Sequence, residues 1–299
     1  MNKFFISIIT NVSLLIQPLQ AQSCKIVTSF SVLQDMVKTV TGDACEVIAI
    51  VGPNQDAHVF EPKPSTNAII LGADLIIING LGFEGWMERL IQAADYRGPL
   101  IVASRYITPR LIHIPKMGDA PVPDPHAWHT VPNALLYLRA ILESLSEHFP
   151  SYAQTFTENA ARYMQQLEAL EKEIREQLAS LPEHKRLVIT AHDAFSYMGD
   201  HYGIHFMSPV GISTEAEPSA KQLAALIDHI KTARIHAIFI ENIANHKIIQ
   251  QIAEEAGLSI NSKPLYSDAL SEMSGPAPTY ITMMRYNINA LMDAMHLNP

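Results

Sequence analysis

The stretch "PDPHAWHT" (residues 123–130) places two histidines, His126 and His129, beside an aspartate, a tryptophan and two prolines. Imidazole is the commonest protein metal ligand, so the loop reads as part of a metal site. Its remaining members must lie elsewhere, because the chain has neither H-E-x-x-H nor C-x-x-C. Three residues share the setting of His126. His58 follows the apolar run "CEVIAIV" (45–51), His192 follows "RLVIT" (186–190), and Asp268 follows "SINSKPL" (259–265). His126 itself follows "PLIVAS" (99–104) by way of a proline-rich loop. In open parallel sheets, ligands bind beyond the carboxyl ends of the strands. Four donors at four strand ends therefore converge if the two halves of the chain face each other. Three imidazoles and one carboxylate satisfy a tetrahedral Zn(II) ion, whereas Mn(II) favours oxygen donors and more of them.

Neighbouring residues are expected to play lesser parts. Pro123, Pro125 and Pro132 break any helix that would pair His129 with His126, so His129 is read as a bystander and a helix is expected only from "NALLYLRAIL" onward. Trp128 and Phe195 are expected to pack behind the ligands. Asp56 and Glu61 flank His58 as possible second acceptors, and Asp193 is expected to cap the helix after His192. Glu215, Glu217, Asp228, His229 and His236 read as surface residues.

The positioning elements follow from the apolar pattern. Runs at 25–30, 45–51, 74–79 and 99–104 precede the middle of the chain, and runs at 186–190, 204–210, 236–241 and 259–265 follow it. They alternate with helical patterns, which reads as two α/β lobes with mainly parallel sheets, over residues 24–150 and 183–299. Between them, residues 151–182 carry a stripe of Phe156, Ala160, Tyr163, Leu167, Leu170, Ile174, Leu178 and Leu181. That period predicts one long helix, with Glu168–Lys172 and Glu171–Arg175 as i,i+4 pairs on its polar face. Such a helix is a rigid connection, so ligand release is expected to need only modest tilting of the lobes. The stripe is too short to favour a coiled-coil dimer, and a monomer is expected.

Composition narrows the partners. A formal charge of -9 with no basic run argues against nucleic acid or anionic lipid. Lys3 followed by an apolar stretch at 4–16 reads as a cleaved export signal over residues 1–23, with cleavage after Ala21 or Ser23. Cys24 and Cys45 are the only cysteines. They open two runs that would lie side by side as parallel neighbours, so an exported chain is expected to join them in a disulfide. The alternative is lipidation of Cys24, which forbids that bond.

Five ordered segments carry a family resemblance across residues 25–295. They are "DAHVFEPKPS", "PDPHAW", "TAHDAFSYMGDHYGI", "GISTEAEPSA" and "GPAPTYITMMRYN". The chain resembles the zinc/manganese-binding solute-binding proteins of ABC importers, the ZnuA/TroA-like cluster A-I group. The resemblance implies two (β/α)4 lobes joined by one long helix, with His58, His126, His192 and Asp268 as ligands in the interlobe cleft. It implies a periplasmic protein that hands its ion to an ABC permease in the inner membrane. The chain departs from the family in having His129-Thr130-Val131-Pro132 after D-P-H-x-W, where Leu-Asp-Pro is usual. It also lacks a long histidine-rich loop, offering only His113 and Asp119 there. Manganese members usually carry glutamate where this chain has His192. A secreted zinc hydrolase is the competing class, but four protein ligands leave no open position for a reacting water.

Overall fold

The run "KIVTSF" forms β1 (Lys25–Phe30), buried on both faces from Ile26 onward, as a central parallel strand under helices must be. The computed structural model describes residues 24–113, 120–215, 218–243 and 246–299. The predicted export signal, Asp119 and Glu217 lie outside the described residues. α1 (Ser31–Thr41) leads into β2 (Glu46–Val51), α2 (Pro64–Leu71), β3 (Leu75–Ile78), α3 (Met87–Ala93) and β4 (Leu100–Val102). The four strands pair in the order β2-β1-β3-β4, all parallel. α1 ends at Gly42, whose φ of 56° is one that a glycine adopts without strain. Cys24 and Cys45 stand at the adjoining ends of β1 and β2 and form the expected disulfide, with Cα atoms 4.6 Å apart.

A two-residue hairpin, β5 (Leu111–Ile112) with β6 (Val122–Pro123), delivers the chain to the 123–130 stretch. α4 (Val131–His148) begins two residues earlier than expected, because Pro132 sits in its first turn, where a missing N–H costs no hydrogen bond. Thr130 caps it by accepting from the Asn133 N–H. α5 (Ala153–Ala179) is the predicted long helix, and the stripe from Phe156 to Leu178 is buried along its length. Its 27 residues span roughly 40 Å at ~1.5 Å each, packed on α1, on α4 and on the last helix, Tyr280–Met295. Glu171–Arg175 forms as expected. Lys172, however, pairs with Glu176 at 3.7 Å instead of Glu168, the alternative i,i+4 partner on the same exposed face.

Beyond α5 come β7 (Leu187–Ile189), α6 (Ser196–Tyr202), β8 (His205–Met207), α7 (Ala220–Ala233), α8 (His246–Ala256) and α9 (Tyr280–Met295). β7 and β8 pair in parallel. The strands expected at 236–241 and 259–265 are present only as isolated parallel bridges, Ile189↔Ile238 and Glu241↔Leu265. Pro264 in the second of them and Pro209 beyond β8 have no N–H to donate, which interrupts a regular ladder. These segments still carry the chain in strand direction, so their ends face the same way as the end of β7.

Buried side chains fall into two clusters. The larger joins the first sheet, α1, α4, α5 and α9 with Val188, Phe195, Tyr197, Met198 and Phe239. The smaller lies under α7 and α8, around Ile189, Ile227, Ile230, Ile238, Ile249 and Ile252. Among the described residues no helix is long and apolar enough to cross a membrane. Closing the 21-residue separation between the cysteines is worth about 3 kcal/mol by the loop-entropy relation. The Cys24→Ser/Cys45→Ser double variant should lose that amount in urea unfolding, and an unchanged midpoint would contradict the bond.

Candidate metal centre

Each of the four donors sits just past a strand or strand-like segment. His58 lies in the loop after β2, His126 follows β6, His192 follows β7, and Asp268 follows the 259–265 segment. One ligating atom from each lies within 4.8 Å of all the others. His192 Nε2 is 3.2 Å and His58 Nε2 3.3 Å from Asp268 Oδ2, and His126 Nε2 is 3.6 Å from Oδ1. His58 and His126 present their Nε2 atoms to each other at 3.3 Å. A tetrahedron built on ~2.05 Å bonds has edges of about 3.3 Å, so these spacings suit one ion at the centre. Both Asp268 oxygens and His192 Nε2 are buried without a well-aligned hydrogen-bond donor. Orphaned buried polar atoms of this kind call for a ligand.

Two carboxylates behind the rings aim them. His126 Nδ1 donates to Asp124 Oδ1 at 2.8 Å, and the same oxygen accepts the His126 backbone N–H at 3.0 Å. His192 Nδ1 meets Glu241 Oε2 at 2.6 Å, while Oε1 accepts the N–H groups of Ala191 and His192. With the proton held on Nδ1, Nε2 offers its lone pair to the centre. Burial pulls the His192 pKa down, but Glu241 and Asp268 outweigh it and raise it well above the ordinary imidazole value. Burial likewise pushes Asp268 up, and His192 and His126 overcome it to hold the carboxyl well below its usual range.

The bystanders are also located. His129 is outside the donor set, fully buried, with its ring 4.6 Å from Phe195 and 5.5 Å from Trp128. Trp128 packs behind His126 at 5.4 Å, as expected, whereas Phe195 backs His129 instead of a ligand. Asp193 does not cap α6. Phe195 is the capping residue, and Asp193 binds the Ser196 hydroxyl at 2.5 Å. Glu61 is exposed, and Asp56 accepts the His58 backbone N–H instead of its ring. Asp124 and Glu241 were not singled out from the sequence. Glu241 ends the run "HAIFIE", so the strand-end rule that selected His192 would also have selected it.

The profile of the family described as "Zinc-uptake complex component A periplasmic" matches residues 26–294. The chain belongs to this family. It is 33% identical over 272 residues to the iron-binding protein YfeA of Yersinia pestis, covering 91% of this chain and 86% of that one. It is 30% identical to the manganese-binding lipoprotein MntA of Halalkalibacterium halodurans, over 92% and 89% of the two chains. Among solved structures, the periplasmic zinc-binding protein TroA of Treponema pallidum superposes with a TM-score of 0.85 at 27% identity, covering 91% and 99%. Family members are thus described with iron, manganese or zinc. The chain's relatives are named as metal-binding components of ABC transporters, among them the metal ABC transporter substrate-binding lipoprotein SsaB of Streptococcus sanguinis.

His129 generates a prediction of its own. Both of its ring nitrogens are buried without a partner, and burial, with the His126 charge adding to it, lowers its pKa to about 3. In the unfolded chain it protonates near its ordinary value of 6.5. Its folded pKa is depressed, so its contribution is fully present above about pH 6.5 and is lost as pH falls toward 3. His129→Leu should therefore stabilise the fold, and the gain should grow by roughly 2 kcal/mol between pH 7 and pH 5. Equal pH dependence of the two proteins in denaturant titrations would refute this.

Proposed function

We propose that this chain is an exported solute-binding protein that captures Zn(II) on His58, His126, His192 and Asp268 and delivers it to an ABC permease. The convergence of three Nε2 atoms on one buried, otherwise unpartnered carboxylate carries the reading. The ion is cargo: four protein donors enclose it and leave no position for a reacting water, which argues for holding over hydrolysis. Residues 24–150 and 183–299 act as the two lobes and residues 151–182 as the connection. The protein works as a monomer in the periplasm.

Zinc is favoured by donor chemistry, since three neutral imidazoles and one carboxylate suit a four-coordinate borderline ion. A manganese-binding protein of the same design is the second reading. MntA is described as a manganese-binding protein, and bidentate Asp268 would supply the extra oxygen that ion prefers. Export by a cleaved signal fits better than lipidation, because the Cys24 sulfur is engaged with Cys45 and a thioether would need that same sulfur.

Elemental analysis of the purified mature protein, with competitive zinc and manganese titration, tests the metal. One zinc per chain is expected, and manganese retained in preference to zinc would overturn that choice. Affinity should also depend on pH. The raised pKa of His192 means that at neutral pH the ion displaces a proton. Binding should weaken about tenfold per unit as pH falls through the range in which His192 holds that proton. Calorimetry in buffers of different ionisation enthalpy reads the released proton directly, and no buffer dependence would contradict the assignment of His192.

A further inference from the structure

The four donors are not held alike. The His58 side chain keeps 6% of its surface exposed, whereas His126, His192 and Asp268 keep 0%, 1% and 0%. His126 and His192 are fixed from behind by Asp124 and Glu241. Asp268 lies in a segment pinned on both sides. Trp128 Nε1 donates to the Ser267 carbonyl at 3.1 Å, and the Leu270 N–H donates to Ser31 Oγ at 3.0 Å. The His58 ring has no carboxylate behind it among the described residues. It leans on the edge of Phe83 and faces the other donors.

A cleft of about 530 Å³ runs from His58 to the surface. Phe83, Trp86 and Pro125 form one wall, and Ile212, Ser213 and Glu215 form the other. Thr214, between the lining residues Ser213 and Glu215, donates from Oγ1 to Asp56 Oδ2 at 2.7 Å. Oδ1 of the same carboxylate accepts the His58 backbone N–H at 2.8 Å. A single carboxylate therefore ties the segment of the least anchored donor to the loop of residues 212–215. Two residues earlier, the Asn54 N–H donates to the Leu270 carbonyl at 2.9 Å, giving the loop a fixed point at its other end.

We propose that the metal ion enters and leaves past His58, and that the Asp56–Thr214 hydrogen bond is the latch that sets how long it stays. The proposal rests on the metal-capture reading above. Asp56 is a positioning residue in it: it orients His58 through the backbone and never meets the ion. Breaking the bond frees the 56–58 segment to swing outward while the other three donors stay in place. A partly buried hydrogen bond to a carboxylate corresponds to about a tenfold change in a rate or equilibrium.

Stopped-flow release of Zn(II) to a chelator, from the full-length mature protein, tests the latch. Co(II) absorption reports whether the donor set is intact. Thr214→Val should release zinc about tenfold faster with an unchanged Co(II) spectrum, and Asp56→Asn should do at least the same. The double variant should be no faster than the faster single one, since both act through one bond. Release from Thr214→Val at the wild-type rate would overturn the latch while leaving metal capture intact. Faster release with an altered Co(II) spectrum would also overturn it, in favour of misplaced donors. Failure of the wild-type protein to bind Zn(II) or Co(II) would overturn the capture reading itself.

Discussion

A carboxylate with no exposed surface and no well-aligned hydrogen bond sits at the centre of this molecule. A buried charge is tolerated only where opposite charge or donors surround it, and Asp268 is surrounded by three imidazoles from three separate segments. Each imidazole in turn needs a fixed orientation. Glu241 and Asp124 supply it for His192 and His126, and Glu241 Oε1 and Asp124 Oδ1 also accept backbone N–H groups. The requirement to neutralise one buried oxygen pair thus propagates outward to strand ends, loops and the hairpin that carries Asp124.

The charge distribution explains what such a centre retains. Asp124 and Glu241 stand behind two of the rings that face Asp268, and among the described residues no ion pair joins a lysine or arginine to the donors themselves. Arg110 approaches Asp124 at 3.8 Å and bonds Asp200 more closely at 2.9 Å, so it sits behind the ring-orienting carboxylate. A dication among these groups balances most of the local negative charge. The same carboxylates, Glu241 and Asp268, raise the His192 pKa against the effect of burial.

Of the two hydrophobic clusters, α6 belongs to the larger one and is bonded both to α5 and to segments that precede it. The Tyr197 hydroxyl accepts from the Arg110 N–H and donates to the Asp124 carbonyl, and the Tyr202 hydroxyl donates to Glu171. His126 is thereby fastened to an element on the far side of the long helix. The smaller cluster under α7 and α8 is separate, and the loop bearing Thr214 leads into α7. The α7–α8 layer therefore has a core of its own, whereas the residues around α5 share one core with segments on both sides of that helix.

Much of this was legible in the residues. The stripe from Phe156 to Leu178 specified α5 because helical periodicity survives in any context that buries one face. The parallel β1–β4 runs were equally plain, being apolar on both faces. His58, His192 and Asp268 could be selected because strand direction fixes which end of a parallel sheet a ligand loop occupies, whereas His126 arrives from the antiparallel β5–β6 hairpin. What the sequence did not decide was every contact made between segments distant in the chain. Glu241 lies 49 residues from His192 and Thr214 lies 158 from Asp56, so their pairing depends on how strand ends and loops are juxtaposed. The fate of His129 was also tertiary: the sequence set it apart from the ligands, and only packing between Trp128 and Phe195 buried it. Periodicity determines elements and direction, but only close packing determines which polar atoms lose water and must find one another.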